Sequence, residues 1–193
     1  MKRITYLIAF ILGFIAFNAC KNSAGKKKEQ PPKMTENTEM VNKKVEDSTY
    51  TGLITEADFR NTKFDDWFSE AYESYQPDTE ILVEIKKEIG KYDIKVFMGT
   101  WCSDSQREIP HLYKILDDVG YNKENLTVYA MNENKTTEAN HEKELNVFNV
   151  PTLIFYDKEG NEVNRFVEFP QETLEKDILK IVTKQDYKHS YAE

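Results

Sequence analysis

Cys102 is the only thiol between residues 51 and 193, and its neighbours give it a defined chemical setting. It lies in Trp101-Cys102-Ser103-Asp104-Ser105, directly after the apolar run Ile94-Lys95-Val96-Phe97-Met98-Gly99 and before a stretch patterned as a helix. A cysteine in the first turn of a helix sits among N–H groups that have no intrahelical partner, at the positive end of the helix dipole. Both favour the thiolate, which is the reactive form. Ser105, three residues on, is a candidate hydroxyl donor to the sulfur, while Asp104 adds a negative charge that opposes ionisation. No other constellation of this kind is present. His111, His141 and His189 are scattered, and His141-Glu142 lacks the second histidine that a zinc protease helix needs four residues later. With no placed histidine, a Cys-His hydrolase is disfavoured. The sequence has no glycine-rich phosphate loop, and neither a metal nor a cofactor is expected.

The elements that must hold Cys102 can be read from periodicity. Phe64, Trp67, Phe68, Tyr72 and Tyr75 recur at three- and four-residue steps, which predicts a helix with one aromatic face turned to a core. Asp78 suits the cap of a second helix with Ile81, Leu82, Ile85 and Ile89 on one face and Gly90 at its end. There follow a strand Ile94 to Met98, a helix Ser105 to Val119 containing Pro110, a strand Leu126 to Met131 and a helix Glu138 to Leu145. A strand Thr152 to Tyr156, a turn at 157–161, a strand Val163 to Val167 and a helix Gln171 to Val182 complete the chain. The helix between the first two strands permits parallel pairing, whereas Lys158-Glu159-Gly160-Asn161 suits an antiparallel hairpin. An α/β fold with a mixed β-sheet flanked by helices is expected.

Taken together, Trp101-Cys102-x-x-Ser105, Pro110 five residues later, Val150-Pro151-Thr152 before a strand, and Gly160 in the hairpin resemble the thioredoxin superfamily. The resemblance covers roughly Ile94 to Lys184. It implies a thioredoxin-like core over 91–184, with an N-terminal helical extension at 51–90 where the family has its own first strand and helix. It also implies a cis-proline loop at Val150-Pro151 that lies against the cysteine and docks an extended substrate segment. Trp101 would flank that surface, as a substrate contact or as packing over the site. Dithiol members of the family carry a second cysteine at the position of Ser105, which resolves the mixed disulfide formed by the first. The family's buried acidic residue falls at Val96. Both departures predict that any cycle through Cys102 needs an outside thiol, or is limited to disulfide exchange and isomerisation.

The other cysteine has a different fate. Residues 1–19 carry a short basic start, an apolar run from Ile4 to Phe17 and a small residue before Cys20. This pattern reads as a secretory signal of the lipoprotein type, and Phe17-Asn18-Ala19-Cys20 resembles a lipobox with Cys20 as the lipidated residue. Residues 20–50 read as a disordered tether, rich in lysine and acidic residues and poor in large apolar ones. Its thirty or so residues would span on the order of 30 Å. The expected location is a bacterial cell-envelope membrane, on its periplasmic or surface side, held by the lipid anchor. Residues 51–193 form one domain with 17 Lys or Arg against 29 Asp or Glu, a net of −12. That balance argues against nucleic acid as a partner.

Three functions fit the sequence. The first is a monothiol thiol–disulfide oxidoreductase or isomerase, acting on disulfide-containing or thiol proteins with a small thiol or partner protein as the resolving thiol. The second is a non-catalytic binding module on the same fold. The third is a structural lipoprotein domain in which Cys102 is a buried small residue. Exposure of Cys102 beside the Val150-Pro151 loop separates the first two from the third.

Overall fold

The strand that delivers Cys102 and the strand that delivers Pro151 are neighbours at the centre of one mixed sheet. The computed structural model describes residues 44–46 and 49–192; the signal sequence, Cys20 and nearly all of the tether lie outside the described residues. Among the described residues there are six strands: β1 (Lys44–Glu46), β2 (Thr49–Ile54), β3 (Asp93–Met98), β4 (Leu126–Ala130), β5 (Thr152–Tyr156) and β6 (Glu162–Val167). Their order across the sheet is β1-β2-β4-β3-β5-β6. Only β3 and β4 pair in parallel; every other pair is antiparallel. The parallel pair is joined by the helix expected there, and β5 and β6 form the expected hairpin.

The helices are α1 (Asp65–Ser74), α2 (Thr79–Glu88), α3 (Ser103–Val119), α4 (His141–Glu144) and α5 (Leu174–Val182). Asp78 caps α2, its carboxylate accepting the N–H of Glu80 at 2.8 Å. The helix α3 runs through Pro110 and ends at Gly120, whose φ of 71° only glycine takes without cost. Helix α1 packs on α3, and α2 packs on both α5 and α3, so the extension joins the main core and builds no core of its own. The predicted aromatic face is the joint. Phe59 stacks on Phe68 at 4.8 Å between ring centroids, and Tyr113 of α3 meets Phe68 edge-on at 5.6 Å. A smaller cluster of Phe97, Tyr129, Met131, Val147, Val150 and Ile154 sits apart from this core and underlies the Cys102 end of the sheet.

Three boundaries differ from the sequence reading. The tether was expected to run to Tyr50 and the extension to be helical, but Thr49–Ile54 is a strand bonded to β4, with a further strand at Lys44–Glu46 beside it. Its inward residues are Tyr50, Gly52 and Ile54, so a glycine breaks the alternation that would have marked it. The helix expected over 138–145 is a single turn, His141–Glu144. Asn140 and Asn146 flank it in the left-handed region, at φ 57° and 53°, and that conformation stops a helix. Helix α5 starts at Leu174, later than Gln171, because the Asp177 carboxylate turns back to accept the Gln171 N–H at 2.8 Å.

Asp177 also accepts the Tyr187 hydroxyl at 3.0 Å, which ties the C-terminal segment to α5. Burial pushes its carboxyl above the ordinary range, against these two bonds, which favour the charge. The folded chain therefore keeps this proton to a higher pH than the unfolded chain, and stability falls as pH rises through that window. In Asp177→Asn the group is neutral throughout. Urea unfolding should show the variant gaining on the native chain as pH rises from about 4 toward 7; a constant difference would rule this out.

Candidate active site

Strand β3 ends at Met98, and the chain turns through Gly99, Thr100 and Trp101 to place Cys102 at the N-terminal cap of α3. The Cys102 N–H bonds the Gly99 carbonyl at 3.0 Å, and its own carbonyl accepts the Gln106 N–H at 2.9 Å, opening the helix. The thiol is half-buried and unbonded to any other cysteine. Its Sγ donates to the Val150 carbonyl at 3.3 Å. The Val150–Pro151 bond is cis, as the resemblance implied. Cys102, Val150 and Pro151 are thus brought together, although they stand far apart in sequence.

Trp101 lies alongside. Its indole Nε1 donates to the Met131 carbonyl at 2.9 Å, and its ring packs on the smaller apolar cluster. Packing is therefore an established role for Trp101. Gly99, which the sequence analysis passed over, makes that packing possible: a Cβ there would lie 2.6 Å from the indole ring. A glycine two residues before the Trp-Cys pair was the available signal.

Ser105 corrects an expectation. It is fully buried, and its Oγ accepts the Gly99 N–H at 3.1 Å; among the described residues no hydrogen bond joins it to the sulfur. A buried backbone N–H needs a partner, and Ser105 supplies one for the β3–α3 turn. Ser105 thus shapes the turn that presents Cys102. Asp104 is likewise tempered, since Arg107 Nη2 pairs with its carboxylate at 2.7 Å while Arg107 Nε holds the buried Glu108 at 2.7 Å. Val96, at the family's acidic position, is fully buried in the apolar core.

Further contacts fix the loops. Gln106 Nε2 donates to the Thr100 carbonyl at 2.7 Å, the Thr152 hydroxyl to the Asn149 carbonyl at 2.7 Å, and the Glu168 N–H to the Pro151 carbonyl at 2.7 Å. The histidines do not converge: His111 stacks on Tyr75, His141 lies tilted against Tyr129, and His189 accepts the Tyr191 N–H. Among the described residues no cluster of histidine, cysteine and acidic side chains could hold a metal ion.

The thioredoxin family model matches residues 55–183, well over half of the chain. The chain belongs to the thioredoxin family. No curated protein matches it. Among solved structures, a protein of unknown function from Pseudomonas aeruginosa is similar at 18% identity, over 66% of this chain and 90% of that one, with a TM-score of 0.51. An HIV epitope scaffold is similar at 18% identity, over 63% and 86%, with a TM-score of 0.50. At these identities the two structures speak to fold alone. This thioredoxin-family chain keeps the Trp-Cys turn and the cis-proline loop, while its fourth motif position holds a buried hydroxyl.

Gly99→Ala tests how the turn is built. The added methyl should push the indole from its place, break the bond to Met131 and destabilise the domain by about 1–3 kcal/mol. In a Trp67→Phe background the fluorescence of Trp101 should shift to the red. An unchanged spectrum and midpoint would show that the glycine is incidental.

Proposed function

We propose that the protein is a monothiol thiol–disulfide exchange catalyst for exported proteins, with Cys102 as nucleophile. The observation that supports this most is the partly buried Cys102, its sulfur against the Val150 carbonyl, at the helix start and beside the Pro151 loop. A cysteine kept only for packing would be enclosed; this one is only partly buried, beside backbone groups.

The chemistry follows from there being one thiol. The Cys102 thiolate attacks one sulfur of a substrate disulfide, a new S–S bond forms, and the second substrate sulfur leaves as thiolate. Two exits exist from that mixed disulfide. The freed substrate thiolate, or another thiol of the substrate, attacks and releases Cys102, so disulfides are rearranged with no net change in oxidation state. Alternatively, a small thiol or a partner protein attacks the Cys102 sulfur; the substrate leaves reduced, and a further thiol regenerates Cys102. In that case two thiols of the donor are oxidised to one disulfide for each disulfide reduced. Ser105 cannot take either role.

The proposed setting is the cell envelope, where substrate disulfides persist. Acyl chains on Cys20 would hold the domain at a membrane, and residues 21–50 would carry it clear of the headgroups. An acylated Cys20 offers no second thiol. Among the described residues no helix is long and apolar enough to cross a membrane. Cys20→Ser should move the protein from the membrane fraction to the soluble fraction, and retention on the membrane would sink the anchor. The buried Ser105 favours a second reading, a binding module that captures partners as a lasting mixed disulfide.

A protein with scrambled disulfides distinguishes the two. The catalyst should restore its activity over many turnovers when a small thiol such as glutathione is present, and Cys102→Ser should abolish the effect. One adduct per chain with no turnover would favour the binding module. Absence of any adduct at Cys102 would defeat both readings.

A further inference from the structure

We propose that the C-terminal tail is a clamp that positions the Val150–Pro151 loop against Cys102, with Ser190 and Tyr191 as its positioning residues. Val167 pairs with Thr152, the residue after Pro151, so the two strands enter the site side by side. The next residue, Glu168, turns sharply, and its N–H donates to the Pro151 carbonyl at 2.7 Å. The preceding carbonyl, that of Val150, receives the Cys102 sulfur at 3.3 Å. Glu168 is therefore the brace behind the loop that the nucleophile touches.

Glu168 makes this bond in a conformation foreign to it. Its φ is 65°, in the left-handed region that glycine occupies freely and that a glutamate seldom adopts. Such a residue persists only where its surroundings over-determine it. The tail supplies those surroundings on both sides of the turn. The Tyr191 hydroxyl donates to the Glu168 carboxylate, the Ser190 hydroxyl donates to the Phe169 carbonyl at 2.9 Å, and the Phe169 and Tyr191 rings meet edge-on at 6.2 Å.

The tail is itself anchored. The Tyr187 hydroxyl bonds Asp177 of α5 and the Tyr187 carbonyl accepts Asn164 Nδ2 of β6 at 3.1 Å, while the Ala192 N–H bonds the His189 carbonyl at 2.9 Å within the tail. A continuous series of contacts thus runs from α5 through the tail and Glu168 to the Pro151 loop. This inference deepens the proposed function, since a positioned loop matters most to a reaction that docks a polypeptide, but its geometry stands without it.

The test uses the full chain and the double variant Ser190→Ala/Tyr191→Phe, in the native background and in Glu168→Gly. The amide exchange rate of residue 168 is followed by NMR, and the rate of exchange with a disulfide-bonded peptide is measured beside it. The clamp predicts that the double variant raises amide exchange about tenfold and slows peptide exchange by several-fold. In Glu168→Gly the same double variant should change neither rate, because glycine adopts this turn without the cost that the tail offsets and the carboxylate that Tyr191 bonds is gone. Unchanged amide exchange in the native background, or an equal effect in Glu168→Gly, would overturn the clamp. Faster amide exchange in a chain that never reacts with the peptide would uphold the clamp and refute the proposed function.

Discussion

Antiparallel pairing of β3 with β5 is the constraint on which the site depends. With Phe97 opposite Thr152, the residues that follow β3 must meet the residues that precede β5. The first group ends in Cys102 and the second in Val150 and Pro151, so the register of one strand pair sets a sulfur against a carbonyl. Because side chains alternate along a strand, a slip of one residue would turn Phe97 from the smaller cluster and Val96 from the larger one, which makes the register costly to change. The site is thus held by the burial of the sheet beneath it.

On that frame, the turn between β3 and α3 is packed from three directions. Trp101 covers the apolar cluster, Gly99 leaves room for the indole, and Ser105 takes the Gly99 N–H from below. Each is needed for the next. Arg107 pairs with Asp104 and with the buried Glu108, so the acid nearest the thiol is matched by a cation fixed on the same helix. The result is a rigid mount for one thiol, with a hydroxyl committed to structure where a second thiol would resolve the first.

The central elements were legible because their signals are strong and local. The aromatic spacing of 64–75, the cap at Asp78 and the apolar run of 94–98 each follow from one period or one side chain, and the family resemblance rested in part on Cys102, Val150 and Pro151, which the structure brings together. What escaped depends on backbone conformation and on hydrogen bonds that no spacing reveals. Strand β2 has a glycine at an inward position and acquires its identity by bonding to β4. The one-turn α4 is trimmed by two left-handed asparagines, and the start of α5 is moved by a bond that Asp177 makes backward. Ser105 was assigned to the sulfur from spacing alone, whereas the buried N–H of Gly99 claims it. The contribution of Glu168 and Tyr191 carries no spacing signal, since it arises where the tail returns to the end of β6.

The central claim is the proposal that the folded domain presents Cys102 as a thiol competent for exchange. The direct measurement is the rate of alkylation of Cys102 by iodoacetamide at pH 7, in the native domain and in the same domain unfolded in urea, with Cys20 replaced by serine. The account predicts that the native protein is modified without unfolding, because Cys102 is only partly buried and stands at the start of α3 beside the Val150 carbonyl. Reaction only as the domain unfolds would contradict it and leave Cys102 as a packing residue.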